Sequence, residues 1–360
     1  MNAEDDEKYL RARDLVMQYG WNTTCFQIVN PGLEYWFGPD GRSVVAYVPT
    51  KHYRVVAGAP VCSLEELPKV FRDFEADAAG EGKRVCYFGA ERRLETAIGS
   101  DPEHAFVLLG AQPVWEPKHW TNALPRRKNV RSQINRARNK NVAVEEWPVE
   151  RAENNPELKA CLEKWFELKG LPPLHFVIEP ETLNRLEHRR IFVATRGEEV
   201  VGFLNLSPIP TRHGWLTEQF PHTPAAPNGT VELMMHTAIT QLADEGFEYV
   251  TLGLSPLSRR ANIEPFDNPA WLKVTLAWMR KHGERFYNFD GLDFFKAKLG
   301  PDRWEPVFAI SNEPEFSGST LYAIAKAFTN DRPFRVLIRG LAKAARSEMK
   351  TFTHWLQRPI

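Results

Sequence analysis

Twice along this chain a group of short strands gives way to a helix, a further strand, a second helix and a closing strand. In the first half, after a helix near 4–18, the strands fall around 24–29, 33–37, 43–48 and 53–57. A helix is expected over 63–81, opened by Ser63 with Glu65 and Glu66 in its first turn. RVCYFG, a short helix at 91–98, and strands around FVLLG and PVWEP complete the half. The second half repeats the order with IFVATRG, EEVVGFLNLSPI and HGWLTEQF, a helix near 229–245, EYVTLGL, a helix near 269–282 and a closing stretch, RFYNFDGLDFFKAKLGPDRWEP. Each half ends on Trp-Glu-Pro, at 115–117 and 304–306. Order and echo together predict a two-copy α/β architecture, each copy a mixed sheet flanked by helices. The expected units are 1–125, a basic inter-domain helix at 126–140, a second repeat at 141–315, and a helical tail at 316–360.

Length and charge narrow the classes. A chain of 360 residues with 43% apolar content can bury a large core. Lysine and arginine balance aspartate and glutamate, 46 against 46, which argues against wholesale binding of a polyanion but conceals local asymmetry. The four cysteines (Cys25, Cys62, Cys86, Cys161) are far apart and form no CxxC, which fits a reducing compartment. No apolar run approaches the ~18 residues of a membrane span, and MNAEDDEKYLRARD is no secretory signal. The expectation is a soluble, cytoplasmic protein, at most peripheral on the inner face of a membrane.

Two segments are strongly basic. RRKNVRSQINRARNK, 126–140, has seven basic residues and no acid, with Val130, Ile134 and Ala137 on one helical face. It reads either as a solvated linking helix or as a phosphate-contacting one, through Arg126, Arg127, Lys128, Arg131, Arg136 and Arg138. Residues 331–350 carry six basic residues opposite an apolar stripe from Phe334 to Trp355. That helix would dock on the body or lie on an anionic membrane surface.

Among motifs, GxxxxGK[ST], HExxH, GxSxG and the Rossmann glycines are absent. The lead-in to the helix at 229, PHTPAAPNG, lacks the glycine pair with which acetyltransferases approach pyrophosphate. Asn228 or Gly229 can cap that helix, Glu232 suits the positive end of its dipole, and His236 reads as structural.

WLTEQFPHTPAAPNGTVELM, then TLGLSPLS, then GERFYNFDGLDFFKAKLGPDRWEPVF resembles the C-terminal catalytic domain of the multiple peptide resistance factor family, the lysyl- or alanyl-phosphatidylglycerol synthases. YGWNTTCFQI, SVVAYV, VVAGAP and the basic helix fit as well, so the resemblance covers about residues 15–310. It implies tandem acetyltransferase-like (GNAT-like) repeats that use aminoacyl-tRNA, with the active site in the second repeat. The amino acid passes from the tRNA ester to a lipid hydroxyl such as that of phosphatidylglycerol, without cofactor or metal. By the same resemblance Lys296, Lys298 and Glu232 are the catalytic candidates, Lys296 and Lys298 diverging so far around a helix that one faces the cleft. Glu218 falls where the family recognises the aminoacyl ammonium. Asn228, Gly229, Ser255, Tyr287 and Asp290 lie in the same motifs as candidate substrate contacts. The chain departs from the family at Pro221, where an arginine is frequent, and at Ala59, where G-D-P has its aspartate; it also contains no counterpart of the membrane-embedded flippase domain. An acyl-CoA or acyl-carrier-dependent acyltransferase of the same fold, or a non-catalytic RNA- or membrane-binding module, are the alternatives.

Overall fold

The computed structural model describes residues 3–169, 175–178, 182–261, 268, 271–272 and 289–329. Helix α1 (Ala3–Tyr19) leads into strands β1 (Glu34–Phe37), β2 (Val44–Pro49) and β3 (Tyr53–Ala57), helix α2 (Leu67–Gly80), β4 (Arg84–Ala90), α3 (Arg92–Ile98) and β5 (Ala105–Trp115). Helices α4 (Pro117–Ala123) and α5 (Lys128–Arg138) connect to β6 (Val142–Trp147), α6 (Val149–Ala152), α7 (Pro156–Lys169), β7 (Arg190–Arg196), β8 (Glu199–Ile209) and β9 (Gly214–Gln219). Then come α8 (Thr230–Asp244), β10 (Tyr249–Thr251), β11 (Ser255–Pro256), α9 (Phe289–Lys298), β12 (Arg303–Ser311) and α10 (Gly318–Thr329).

The expected mixed α/β architecture is present, but the halves do not keep separate sheets. One sheet runs β1-β2-β3-β4-β12-β5-β10-β9-β8-β7-β6, with β11 pairing to β5. The closing strand of each half has crossed to the other: β12 lies against β4, and β5 against β10. The two crossed strands pair antiparallel with each other from Arg303↔Val114 to Ser311↔Ala105. Each thereby covers an edge that would otherwise expose unpaired backbone in the middle of the molecule. At their centre Gly110 (φ +154) must lack a side chain, because a Cβ there would stand 2.2 Å from the Ser255 carbonyl oxygen of β11.

Several expected elements change. The stretch 24–29 is not a strand but ends in a 3₁₀ turn, Phe26–Val29. All four residues of that turn are buried, so no solvent face exists to produce strand alternation. FVLLG and PVWEP are one strand, β5. Helix α2 starts at Leu67, with Glu66 and not Ser63 at its N-cap position. The Trp-Glu-Pro echo is not structural equivalence. Trp115 pairs with Val250 on one crossover, the place that Ser311 takes opposite Cys86 on the other, whereas Trp304 pairs with Pro113. The helix expected at 269–282 falls outside the described residues except for Trp271 and Leu272, and the basic stripe at 331–350 lies outside them entirely.

Helices α4, α5 and α8 cover one face of the second half, with Trp115, Trp120, Ile134, Met234 and Ile239 fully buried between them and the sheet. As expected, α5 turns Val130, Ile134 and Ala137 inward. A different cluster joins the halves: Val16, Phe26 and Ile28 from the first pack with Ile209, Leu216 and Tyr249 from the second, and Ala323 and Ile324 of α10 close over them. Among the described residues no helix is long and apolar enough to cross a membrane.

Candidate active site

Strands β9 and β10 are parallel but pair only from Tyr249↔Gly214 to Thr251↔Leu216. Beyond that point they separate. β9 continues to Gln219, while the chain after β10 turns at Gly253 (φ +64) and stays with β5, pairing again through Ser255↔Ala111. A wedge opens between them, and the backbone carbonyls of residues 252–254 lose the partners a neighbouring strand would supply.

Lys296 satisfies them. Its Nζ donates to the carbonyls of Leu252 (2.9 Å), Gly253 (2.9 Å) and Leu254 (2.8 Å). An ammonium has three donors, so this one has none left. Burial pulls its pKa down to about 7 against the opposing charge of Asp293, while three carbonyl acceptors match the protonated form. Lys296 is 3% exposed and acts as a strut of the wedge. Asp293, one helical turn earlier, accepts from Ser255 Oγ (3.4 Å) and Arg260 Nε (2.8 Å), which ties the start of β11 to α9.

Lys298 has a different environment. It is 23% exposed in its side chain and its Nζ lies 2.6 Å from Glu232 Oε1. Glu232 stands in the first turn of α8 and does not cap it; Gly229 (φ +99) takes the N-cap position. This pair is therefore the one among the catalytic candidates whose two charges meet. Phe295 packs on Phe220 across the wedge, with ring centroids 5.7 Å apart, whereas its neighbour Phe294 is 69% exposed.

Glu218 occupies a separate polar cluster on the side of the first half. The β8–β9 register shifts between Asn205↔Gln219 and Leu206↔Thr217, leaving Glu218 as the extra residue of a bulge. Its buried carboxylate accepts from Gln27 Nε2 (2.6 Å), Asn205 Nδ2 (2.7 Å) and Arg189 Nε (3.1 Å). Arg189 also holds Asn30 Oδ1 at 3.0 Å and the Arg185 carbonyl at 2.7 Å. A guanidinium thus does lie beside this acid even though position 221 is proline; it comes from the residue preceding β7. Nothing local in the sequence marks Arg189, Gln27 or Asn205, which are brought to Glu218 from different strands and turns.

Asn228 is exposed beside the N-terminus of α8, Asp290 is exposed at the start of α9, and Ser255 is buried under Asp293. Tyr287 lies outside the described residues. Gly229 matters for packing as well as for turning: a Cβ on it would stand 2.0 Å from the Gln133 carbonyl oxygen of α5. Gly229→Ala should therefore cost roughly 2–4 kcal/mol from backbone strain and collision together, measured as a shift in urea unfolding. His236, one face of α8 away, accepts from Trp120 Nε1 at 3.2 Å. Burial, aided by the charge of Arg138, lowers its pKa and keeps it the neutral acceptor this contact needs.

On α5 and the residues flanking it the basic side chains divide. Arg126, Lys128, Arg131, Arg136, Arg138 and Lys140 are exposed, and none has an ion-pair partner among the described residues. Arg131 donates to the Pro125 carbonyl at 2.9 Å. Arg127 turns inward and donates to the Leu299 carbonyl at 2.8 Å.

A depression of about 680 Å³ lies at the other end of β10, lined by Trp21, Glu91, Arg212, Tyr249, Arg303 and Glu305 among others. Its central charges are spent on one another: Arg212 bonds both Glu91 and Glu305, and Arg303 bonds Glu305. That cluster fastens the two halves and contains none of the candidate catalytic or substrate-binding residues, though Glu305 comes from the second Trp-Glu-Pro.

Against known families, residues 13–311 match the model for the phosphatidylglycerol lysyltransferase C-terminal domain. The chain belongs to this family. A phosphatidylglycerol lysyltransferase from Bacillus subtilis is 22% identical over 297 residues, which is 81% of this chain and 34% of that protein. The chain thus spans about a third of the curated relative. Two solved structures share the fold. The C-terminal domain of a protein titled lysylphosphatidylglycerol synthetase, from Agrobacterium fabrum, is 21% identical with a TM-score of 0.76, over 89% of this chain and 96% of that one. The structure titled L-PGS from Bacillus licheniformis is 18% identical with a TM-score of 0.73, over 88% and 94%. The family match includes the wedge, α5 and α8 within residues 13–311.

Proposed function

We propose that the family domain in this chain moves an amino acid from aminoacyl-tRNA to the hydroxyl of a membrane lipid such as phosphatidylglycerol, at the wedge between β9 and β10. The observation that carries this reading is the Glu232–Lys298 pair beside that wedge, 2.6 Å apart and fixed on two different helices. Ester-to-ester transfer needs little more than such a pair. The acceptor oxygen attacks the aminoacyl carbonyl, a tetrahedral oxyanion forms, and the bond to the tRNA ribose oxygen breaks. Glu232 takes the proton of the attacking hydroxyl, Lys298 faces the oxyanion, and the proton returns to the departing ribose oxygen. Lys296, with every donor committed to a carbonyl, holds the wedge open and takes no part in the proton traffic.

Other candidates take supporting roles. Glu218 offers the negative charge for the aminoacyl ammonium, shared with Arg189, so an incoming ammonium competes with a resident guanidinium. The exposed cations of α5, from Arg126 to Arg138, would neutralise phosphates of the tRNA, a contact that weakens with salt. Membrane contact is peripheral in this scheme, and the tail beyond residue 330 is its candidate carrier.

Incubating the purified chain with a charged tRNA pool and a total lipid extract, followed by lipid mass spectrometry, tests the proposal. A new aminoacyl lipid, abolished by ribonuclease, is the expected product. Turnover that needs acyl-CoA or an acyl carrier and ignores tRNA would replace the reading with the acyltransferase alternative.

A further inference from the structure

Arg127 stands apart from the other basic residues of α5. Its guanidinium carbon lies 5.2 Å from the Trp120 ring centre, and its Nη1 donates to the Leu299 carbonyl, which also accepts from Trp115 Nε1 at 3.3 Å. The next residue, Gly300 (φ +64), has the guanidinium where a side chain would be: a Cβ would stand 2.8 Å from Arg127 Nε. Two turns along α5, the Gln133 carbonyl fills the corresponding space at Gly229. The helix and its N-cap residue therefore abut the backbone two residues after Lys298 and three before Glu232; the Gln133 carbonyl leaves no room for a methyl group at Gly229, and the Arg127 side chain fills the space at Gly300. Its opposite face presents Lys128, Arg131, Arg136 and Lys140 around a concavity of about 520 Å³.

We infer that Arg127 is a positioning residue, locking the phosphate-facing helix α5 to the Leu299–Gly300 turn so that α5 sets the placement of Lys298 against Glu232. The inference rests on the proposed roles of that pair and of the α5 surface. A polyanion held on the outer face then stiffens the pair through the inner face, and the coupling is reciprocal.

Amide hydrogen exchange of the full chain tests this without requiring turnover. The Gly300 amide, bonded to the Ala297 carbonyl at 2.9 Å, reports on the turn. In Arg127→Met it should exchange at least tenfold faster than in the wild type, and in Arg127→Lys, which keeps a charged donor, by less. Unchanged exchange at Gly300 would overturn the inference. With uncharged tRNA added, the wild type should gain protection at Gly300 and in the first turn of α8. Arg127→Met should bind that tRNA within about twofold of wild-type affinity yet lose the gain, whereas Arg136→Glu/Lys140→Glu should bind at least tenfold more weakly. If Arg127→Met binds as weakly as the double variant, Arg127 is a phosphate ligand and the inference fails. If no variant, wild type included, binds tRNA, the proposed function fails, and the tRNA-free exchange at Gly300 still decides the role of Arg127. Should Arg127→Met not fold, Arg127→Lys carries the test, and exchange at Gly300 equal to that of the wild type overturns the inference.

Discussion

Lys296→Met is expected to lower stability by about 2–4 kcal/mol: the buried Leu252 carbonyl and the half-buried carbonyls of Gly253 and Leu254 lose their donor at ~1–3 kcal/mol each, partly offset by relief of the desolvation that lowers the lysine's pKa. The carbonyls of Leu252, Gly253 and Leu254 cannot turn to β9, which has already diverged, so the wedge itself must collapse or admit water. Urea unfolding measures the loss. Whatever transfer activity the protein has should fall in step with the folded fraction and recover at lower temperature. A Lys296→Met protein of wild-type stability that is nonetheless inactive would contradict the structural role and return Lys296 to the chemistry.

Lys298→Met should behave in the opposite way. The ammonium is partly exposed and its partner sits in the first turn of α8, where the helix dipole partly compensates a stranded carboxylate. A stability loss of about 1–2 kcal/mol is expected. Transfer should fall by roughly 10²–10⁴ if Lys298 and Glu232 handle the oxyanion and the proton. Glu232→Gln should match it, and the double variant should be little worse than either single one, since groups acting as a unit do not add. Transfer within about threefold of wild type in both single variants would remove the pair from the mechanism. The two lysines are two residues apart in sequence, so the contrast between these variants separates a strut from a reacting group.

Local patterns were readable where the reason for a residue is local. The apolar spacing of α5 indicated the face that is buried, since Val130, Ile134 and Ala137 meet α8. Asn228 and Gly229 were both recognisable as candidates to open α8; Gly229 takes the position, and its second reason, the Gln133 carbonyl, lies nearly a hundred residues away. By contrast the choice between Lys296 and Lys298 could not be made from helical spacing. It depends on where β10 abandons β9, and on which lysine the orphaned carbonyls capture.

The alternation of elements, the basic helix between the halves and the ordered motifs that identify the family are legible in the chain alone. These are properties of short segments, whose periodicity and turn chemistry operate over a few residues. That β5 and β12 exchange halves, that Arg189 meets Glu218, and that Glu232 pairs with Lys298 emerges only in the fold. Each of those depends on backbone and charge that find partners far along the chain, because burying an unpaired carbonyl or carboxylate costs more than closing the loop that brings it a donor.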